Sequence, residues 1–410
     1  FWICISTALA LSGTASASDS ISVAAEYAYL ADPKSGEVLY AKNEDVQATP
    51  ASLTKIMTAL IILEHADLTE TATVSSSALA DLHPDSSTAN LKVGEEMLMD
   101  DILKCILIAS ANDACNVAAE HIAGSIDAFV DMMNERAAQL GCENTHFANT
   151  HGLTEDGHYS SARDMYTITL EAIKNEKFLE ICNTASVTIP ATNKSDERTY
   201  YTTNHLISRL KSPDYIYHYA KGIKTGHTSA AGYCLVSSAE KDDLYLIAVV
   251  MNSIKDEETG LIMSFVDSKN LYEWAFDNFS YQTMLSSSSP VSEVSVLLAE
   301  DTDYVAVNPA SEISALLPND FDIANVEYDI EIFDPEGIVA PVLKGDVLGK
   351  ITVSYEGREY GSTDLVALNS VNRDVVLYKV DQVKTFLSQT WVRYTILGIV
   401  VLIVLYTIFV

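Results

Sequence analysis

The sequence predicts an α/β body, followed by a small all-β domain and a C-terminal transmembrane helix. Three observations carry that expectation: strand-like runs at both ends of a helical middle, a later stretch of short alternating apolar runs, and an uncharged apolar end. A chain of 410 residues has room for two or three domains at roughly 150 residues each. Hydrophobic residues make up 48% and charged residues 20%, enough apolar material to bury a core. Asp and Glu number 57 against 25 Lys and Arg, a formal charge of −32. That balance excludes nucleic acid as a partner, since phosphate binding needs a basic excess. It also argues against docking on an anionic lipid surface. A self-repelling body in an aqueous compartment fits it better.

Taken in order, Phe1 to Leu11 are almost wholly apolar, and Ala15-Ser16-Ala17 follows as an A-x-A cleavage site. This pattern predicts a secretory signal peptide over residues 1–17, lacking a basic start because the chain opens on Phe1. An eleven-residue apolar run is too short to span a bilayer. Tyr27 to Asp32 and Glu37 to Lys42 read as two strands around the turn signal Pro33-Lys34-Ser35-Gly36. From Ser52 to Leu63 the apolar residues run nearly all round, as in a buried helix. Helical patterns follow at Asp100 to Ala109, Asn116 to Ile122 and Ile126 to Leu140. Strands return at Gly232 to Ser237 and Leu244 to Met251, and Lys269 to Phe279 reads as a closing helix. Strands flanking a helical middle predict one sheet assembled from distant segments.

Leu285 followed by four serines and Pro290 marks a boundary, so the first domain is expected over 24–284. Residues 291–380 hold short alternating runs divided by Gly, Pro, Asn and Asp, as in a β-rich domain. That stretch carries 17 Asp and Glu against 5 Lys and Arg. Asp381 to Gln389 then links it to Tyr394–Val410, 17 residues without a charge. With Trp391, Arg393 and Tyr394 at its edge, this run predicts a membrane anchor at 394–410. Cys4 falls in the signal segment. Cys105, Cys115, Cys142, Cys182 and Cys234 are odd in number and match no zinc spacing, which predicts buried thiols. The nine His form no ligand cluster, so no metal is expected.

Three short motifs carry chemistry. In Ser52-Leu53-Thr54-Lys55, positions i and i+3 share a helix face, so the Lys55 amine can reach the Ser52 hydroxyl. Pro50 and Ala51 place Ser52 near a helix start, where free N–H groups favour a developing oxyanion. A hydroxyl needs a base to become a nucleophile, and Lys serves once its pKa is lowered by burial or a second cation. The same spacing recurs at Ser208 to Lys211 and Ser238 to Lys241, so alone it says little. Ser110-Ala111-Asn112 sits between two helical patterns. It is either a helix break capped by Asn112 or Asp113, or a proton-relaying hydroxyl beside an amide that orients a substrate carbonyl. Lys224-Thr225-Gly226-His227-Thr228 is either a charged turn or a carboxylate clamp whose glycine lets a substrate lie along a strand edge.

Together, in this order and with spacings of 58 and 114 residues, the three motifs are far more specific. The sequence resembles the low-molecular-mass penicillin-binding proteins, the serine-type D-alanyl-D-alanine carboxypeptidases. Beyond the motifs, the resemblance is carried by Tyr29-Leu30-Ala31-Asp32 with Gly36-Glu37-Val38-Leu39-Tyr40, and by Thr49-Pro50-Ala51. It continues through Asn149-Thr150-His151-Gly152-Leu153, the segment Gly157 to Asp164, and Ala340 to Asp346, covering about residues 24 to 380. It implies a β-lactamase/transpeptidase-like catalytic domain ahead of the β-domain. It further implies removal of the terminal D-alanine from peptidoglycan stem peptides without a cofactor, with β-lactams as covalent inhibitors. Carried over by position, Ser52 is the acylated nucleophile, Lys55 its base and Ser110 a proton shuttle. Asn112 holds the substrate amide. Lys224 lowers the pKa of Lys55 and, with Thr225 and Thr228, binds the terminal carboxylate. The N–H groups of Ser52 and His227, beside Gly226, form the oxyanion hole. Some relatives carry an Arg before the residue that is Asn204 here, where this chain has Thr203. The expected signal at one end and anchor at the other place the working parts on the extracytoplasmic side of the cell membrane.

Two rival readings remain at this stage. A non-catalytic wall-binding protein could keep the fold, but the intact Ser52, Lys55, Ser110 and Lys224 speak against it. A class A-like β-lactamase needs a Glu that activates the deacylating water. Only Glu171-Ala172-Ile173-Lys174-Asn175 loosely resembles that element, in a helical stretch 53 residues before Lys224. Ser161 to Asp164 reads as a capping box.

Overall fold

Two short apolar runs, Tyr27–Ala31 (β1) and Val38–Lys42 (β2), pair as an antiparallel hairpin. The Asp32 carboxylate closes its turn by accepting from the N–H groups of Lys34 and Ser35. The structure is a computed structural model that describes residues 21–409 except 81, 84, 85, 211 and 212. The expected signal segment at 1–17 lies outside the described residues.

Lys55–His65 (α1) follows a 3-10 turn at Ala51–Thr54. Its buried residues run from Lys55 to Ile62 without interruption, as expected for a helix apolar all round. Each such Leu or Ile stabilises the fold by roughly 1.5–3 kcal/mol. A small pair, Thr71–Thr73 (β3) with Glu96–Leu98 (β4), leads into Met99–Ile108 (α2), Asn112–Ala123 (α3) and Ile126–Gln139 (α4). Ala162–Ala172 (α5) and Glu176–Cys182 (α6) come next, then the pair Ser186–Ile189 (β5) and Arg198–Tyr201 (β6). Ala220–Thr228 (β7), Gly232–Lys241 (β8) and Leu244–Ser253 (β9) complete an antiparallel sheet in the order β2-β1-β9-β8-β7. Distant segments meet there: Tyr27 pairs with Met251, and β7 is left at an edge. Met263–Asn278 (α7) ends this unit. The Lys224 motif therefore lies in an edge strand, not in a charged turn.

The chain divides into two compact units between Ser280 and Tyr281. That division falls within Phe279–Leu285 (β10), ahead of the serine run, and β10 pairs with Ile313–Pro318 (β13). The main sheet of the second unit is built from Ser292–Leu297 (β11), Tyr304–Pro309 (β12), Val326–Ile332 (β14), Ile338–Val339 (β15), Val347–Tyr355 (β16) and Arg358–Ala367 (β17), in the order β14-β16-β17-β12-β11-β15. Alternate residues such as Val294 and Val296, or Ile351 and Val353, form its core. Two helices follow. Val375–Ser388 (α8) takes in most of the expected link, because apolar residues at 376, 380, 383 and 387 recur at helical spacing. Thr390–Phe409 (α9), with mean hydropathy 2.2, is long and apolar enough to cross a membrane.

The sheet is tied to its last helix by one carboxylate. Asp267 on α7 accepts from the N–H groups of Ala24 and Ala25 at 2.9 Å each and from Ser253 Oγ at 3.2 Å. Asp267→Asn removes one acceptor from a buried site and is expected to lower unfolding stability by about 1–3 kcal/mol, read as a lower urea midpoint with an unchanged slope.

Candidate active site

Three backbone segments converge on Ser52. The 3-10 turn carries it at the head of α1, with Ala51 before it at a φ of +48°. The break between α2 and α3 carries Ser110, at a φ of +58°. Both are non-glycine residues in the left-handed region, where backbone strain of about 1–3 kcal/mol collects at functional sites. The edge strand β7 passes the turn so closely that a Cβ on Gly226 would lie 3.1 Å from the Ser52 nitrogen. Only glycine allows that approach without displacement.

Lys55 Nζ lies 2.8 Å from Ser52 Oγ, 2.7 Å from Asn112 Oδ1 and 2.7 Å from the His151 carbonyl oxygen. An ammonium has three N–H donors, and here each has an acceptor. The Asn112 and His151 oxygens can only accept. When the amine loses a proton, its lone pair is therefore left facing the Ser52 hydroxyl. Lys55 is fully buried, and burial pulls its pKa down to about 8.

Lys224 is also buried, at 1% exposure, and donates to Ser110 Oγ and the Thr225 carbonyl at 2.9 Å each. Burial and the charge of Lys55 bring its pKa to about 7. Two such ammoniums resist being charged together, so both values belong to the pair. The repulsion falls on Lys224, which has fewer acceptors.

A loop completes the cradle of Lys55. Asn149 Oδ1 accepts from the N–H groups of His151 and Gly152, and the Thr150 carbonyl accepts from Thr58 Oγ1. The His151 ring stays neutral, its pKa pushed to about 3 by burial and then by the Lys55 charge. Asp113 anchors an opposite wall by accepting from the N–H groups of Ala89 and Leu91. Asn112 is the first residue of α3 and its side chain caps nothing, unlike the capping alternative.

A cavity of about 570 Å³ opens over these groups, lined by Ser52, Ser110, Asn112, Thr225, Gly226, His227 and Thr228 among others. Lys55 and Lys224 lie beneath it, bonded to Ser52 and Ser110. The nine residues singled out in the sequence thus surround one space. The exposed His227 ring leans on Tyr233 at 4.2 Å between centroids. Thr228 Oγ1 meets Thr154 Oγ1 at 3.1 Å and accepts from the Ala231 N–H.

Sequence reasoning missed several partners. Thr203 Oγ1 lies 2.5 Å from Thr225 Oγ1 and lines the cavity, so a hydroxyl pair stands in its wall. His205, stacked on Phe265 at 5.1 Å, forms part of the same wall. The contact of Thr225 with a residue 22 positions earlier leaves no periodic trace, and its proximity to Asn204 was the one available signal. Ser161 caps α5 by accepting from the Asp164 N–H, while the Asp164 carboxylate accepts from Asn144 N and Thr145 Oγ1. Glu171, the element weighed for a lactamase, is held by Arg136 at 3.0 Å and Lys174 at 2.6 Å. All five described cysteines are buried and unbridged.

The arrangement needs Lys55 neutral and one proton kept on the pair. At low pH both lysines are charged and Lys55 cannot accept; at high pH both are neutral and no cation remains. The ratio kcat/KM is expected to rise as pH passes about 7 and fall beyond about 8, giving a narrow bell in a pH–rate series.

Residues 13–255 match the family described as D-alanyl-D-alanine carboxypeptidase, and residues 279–373 match the penicillin-binding protein 5 C-terminal domain. The D-alanyl-D-alanine carboxypeptidase DacF of Bacillus subtilis is 32% identical over 352 residues, covering 85% of this chain and 86% of the relative. DacA of Escherichia coli is 32% identical over 375 residues, covering 85% and 83%. Among solved structures, penicillin binding protein 5 from Haemophilus influenzae superposes with a TM-score of 0.63 at 32% identity, over 87% of this chain and 99% of that one.

Proposed function

The chain belongs to the D-alanyl-D-alanine carboxypeptidase family and is a serine-type carboxypeptidase that removes the terminal D-alanine from peptidoglycan stem peptides, and we propose that it works through an acyl-enzyme on Ser52. The observation that carries this reading is the threefold anchoring of Lys55 Nζ on Ser52, Asn112 and His151. Lys55 takes the Ser52 proton as Oγ attacks the penultimate D-alanine carbonyl. The N–H groups of Ser52 and His227 receive the oxyanion, as preorganised donors aimed where charge develops. Ser110 hands its proton to the nitrogen of the departing D-alanine and is resupplied from Lys224. A water molecule then attacks the ester, with the proton transfers reversed.

Substrate itself prepares the base. The peptide's terminal carboxylate, bound by Thr225, Thr203 and Thr228 beside Lys224, favours charge on Lys224. The shared proton then settles there, and Lys55 is left neutral against Ser52. Asn112, its oxygen engaged by Lys55, offers its amide nitrogen to the stem-peptide carbonyl. β-Lactams acylate the same Ser52 as mimics of the D-Ala-D-Ala terminus. With residues 1–17 as an export signal and α9 as the anchor, the catalytic unit works on the extracytoplasmic side of the membrane, where its substrate lies.

The test is D-alanine release from a peptide ending in Lys-D-Ala-D-Ala. The detergent-solubilised chain is expected to release D-alanine, and Ser52→Ala to lose about 10⁴-fold or more of that rate. Intact mass after penicillin treatment should show one adduct on the first protein and none on the variant. Equal turnover by both would remove Ser52 from the nucleophile's role.

A further inference from the structure

The buried histidine His158 takes no part in the mechanism above, yet it is hydrogen-bonded toward the nucleophile. Its Nδ1 accepts from the Ala148 N–H at 3.0 Å, so the proton of the neutral ring sits on Nε2. Nε2 lies 2.8 Å from Thr54 Oγ1 and donates to it. The single Thr54 hydroxyl proton then goes to the Ala51 carbonyl oxygen, also at 2.8 Å. Every donor and acceptor in this chain has one partner, and the order of donation is fixed. Burial keeps the ring neutral, with its pKa pushed to about 4, and the edge of Phe147 packs 5.8 Å from it.

The end of the chain is the peptide group that matters. The Ala51 carbonyl and the Ser52 N–H belong to one planar trans peptide and point in opposite directions. Holding the carbonyl therefore aims the N–H. Gly152 presses on the same carbonyl so tightly that a Cβ there would stand 1.8 Å from the oxygen, and Ala51 is held at a φ of +48°.

We propose that His158 and Thr54 are positioning residues that aim the Ser52 N–H into the oxyanion hole by holding the Ala51 carbonyl. The inference rests on the reading of Ser52 as the nucleophile and of its N–H as an oxyanion donor. Neither side chain touches substrate; each acts through the peptide plane. A small error in that plane weakens the donor in the transition state while leaving the rest of the cavity intact.

The measurement is penicillin acylation of the full chain, with the acyl-enzyme carbonyl stretch recorded by infrared difference spectroscopy. Thr54→Val keeps the volume and removes the hydroxyl. It is expected to slow acylation by about 10- to 100-fold and to move the ester carbonyl to higher frequency, as a weaker oxyanion hole requires. Thr54→Ser restores the hydroxyl and should return the rate to within about threefold of the unsubstituted chain, with the carbonyl frequency restored. If Thr54→Val does not fold, His158→Gln against His158→Met carries the same comparison, since the Gln amide can still donate to Thr54 and Met cannot. Thr54→Val acylating at the unsubstituted rate with an unshifted carbonyl overturns the proposal, as does Thr54→Ser being as slow as Thr54→Val. Failure of the Ser52 reading looks different: the unsubstituted chain itself takes up no adduct on Ser52.

Discussion

Burial and mutual repulsion disfavour charge on Lys55 and Lys224 together near neutrality, and the rest of the active site is arranged around that constraint. Lys55 and Lys224 are among the largest fully buried side chains in the molecule. A charge so placed is costly unless it is hydrogen-bonded, and a second like charge nearby adds to the cost. The fold meets this by supplying acceptors unequally. Lys55 has three, drawn from the 3-10 turn, the head of α3 and the 149–152 loop, while Lys224 has the Ser110 hydroxyl and a backbone carbonyl. That asymmetry favours the last proton on Lys55.

The scaffold explains how the acceptors come to be there. α1 is apolar all round and sits in the core, so the base it carries is desolvated by the packing that stabilises the helix. β7 is an edge strand that carries Lys224 buried on it, and an edge strand leaves one side of its backbone without a strand partner. The left-handed backbone at Ala51 and Ser110 is offset by tight docking: Gly152 against the Ala51 carbonyl, and the Asn112 N–H on the Ser87 carbonyl.

Much of this was legible in the sequence, and the reasons for the gaps are physical. The hairpin at Tyr27–Lys42, the helices from Lys55 to Gln139 and the strands after Gly232 follow from periodicity, and the structure differs from them mainly at the ends. The short pairs at Thr71–Leu98 and Ser186–Tyr201 escaped notice because three or four residues are too few to establish a period. Lys224 to Thr228 could be a turn or a strand because its polar residues face a site rather than solvent. The motif residues were named correctly as neighbours by their order and family resemblance, not by spacing alone. What no local pattern discloses is a contact such as Thr54 with His158, 104 positions apart, or Thr203 with Thr225, where two hydroxyls meet.

The central claim is that the two lysines share one proton near neutrality and that an anionic substrate decides which holds it. It is tested most directly by following the ε-¹³C and Nζ resonances of Lys55 and Lys224 against pH in the Ser52→Ala chain, with and without a D-Ala-D-Ala peptide. The account predicts two coupled steps near 7 and 8 in the free protein, with Lys224 moving up and Lys55 down when peptide binds. Two independent titrations near the ordinary lysine value of about 10.4, unmoved by peptide, would contradict it.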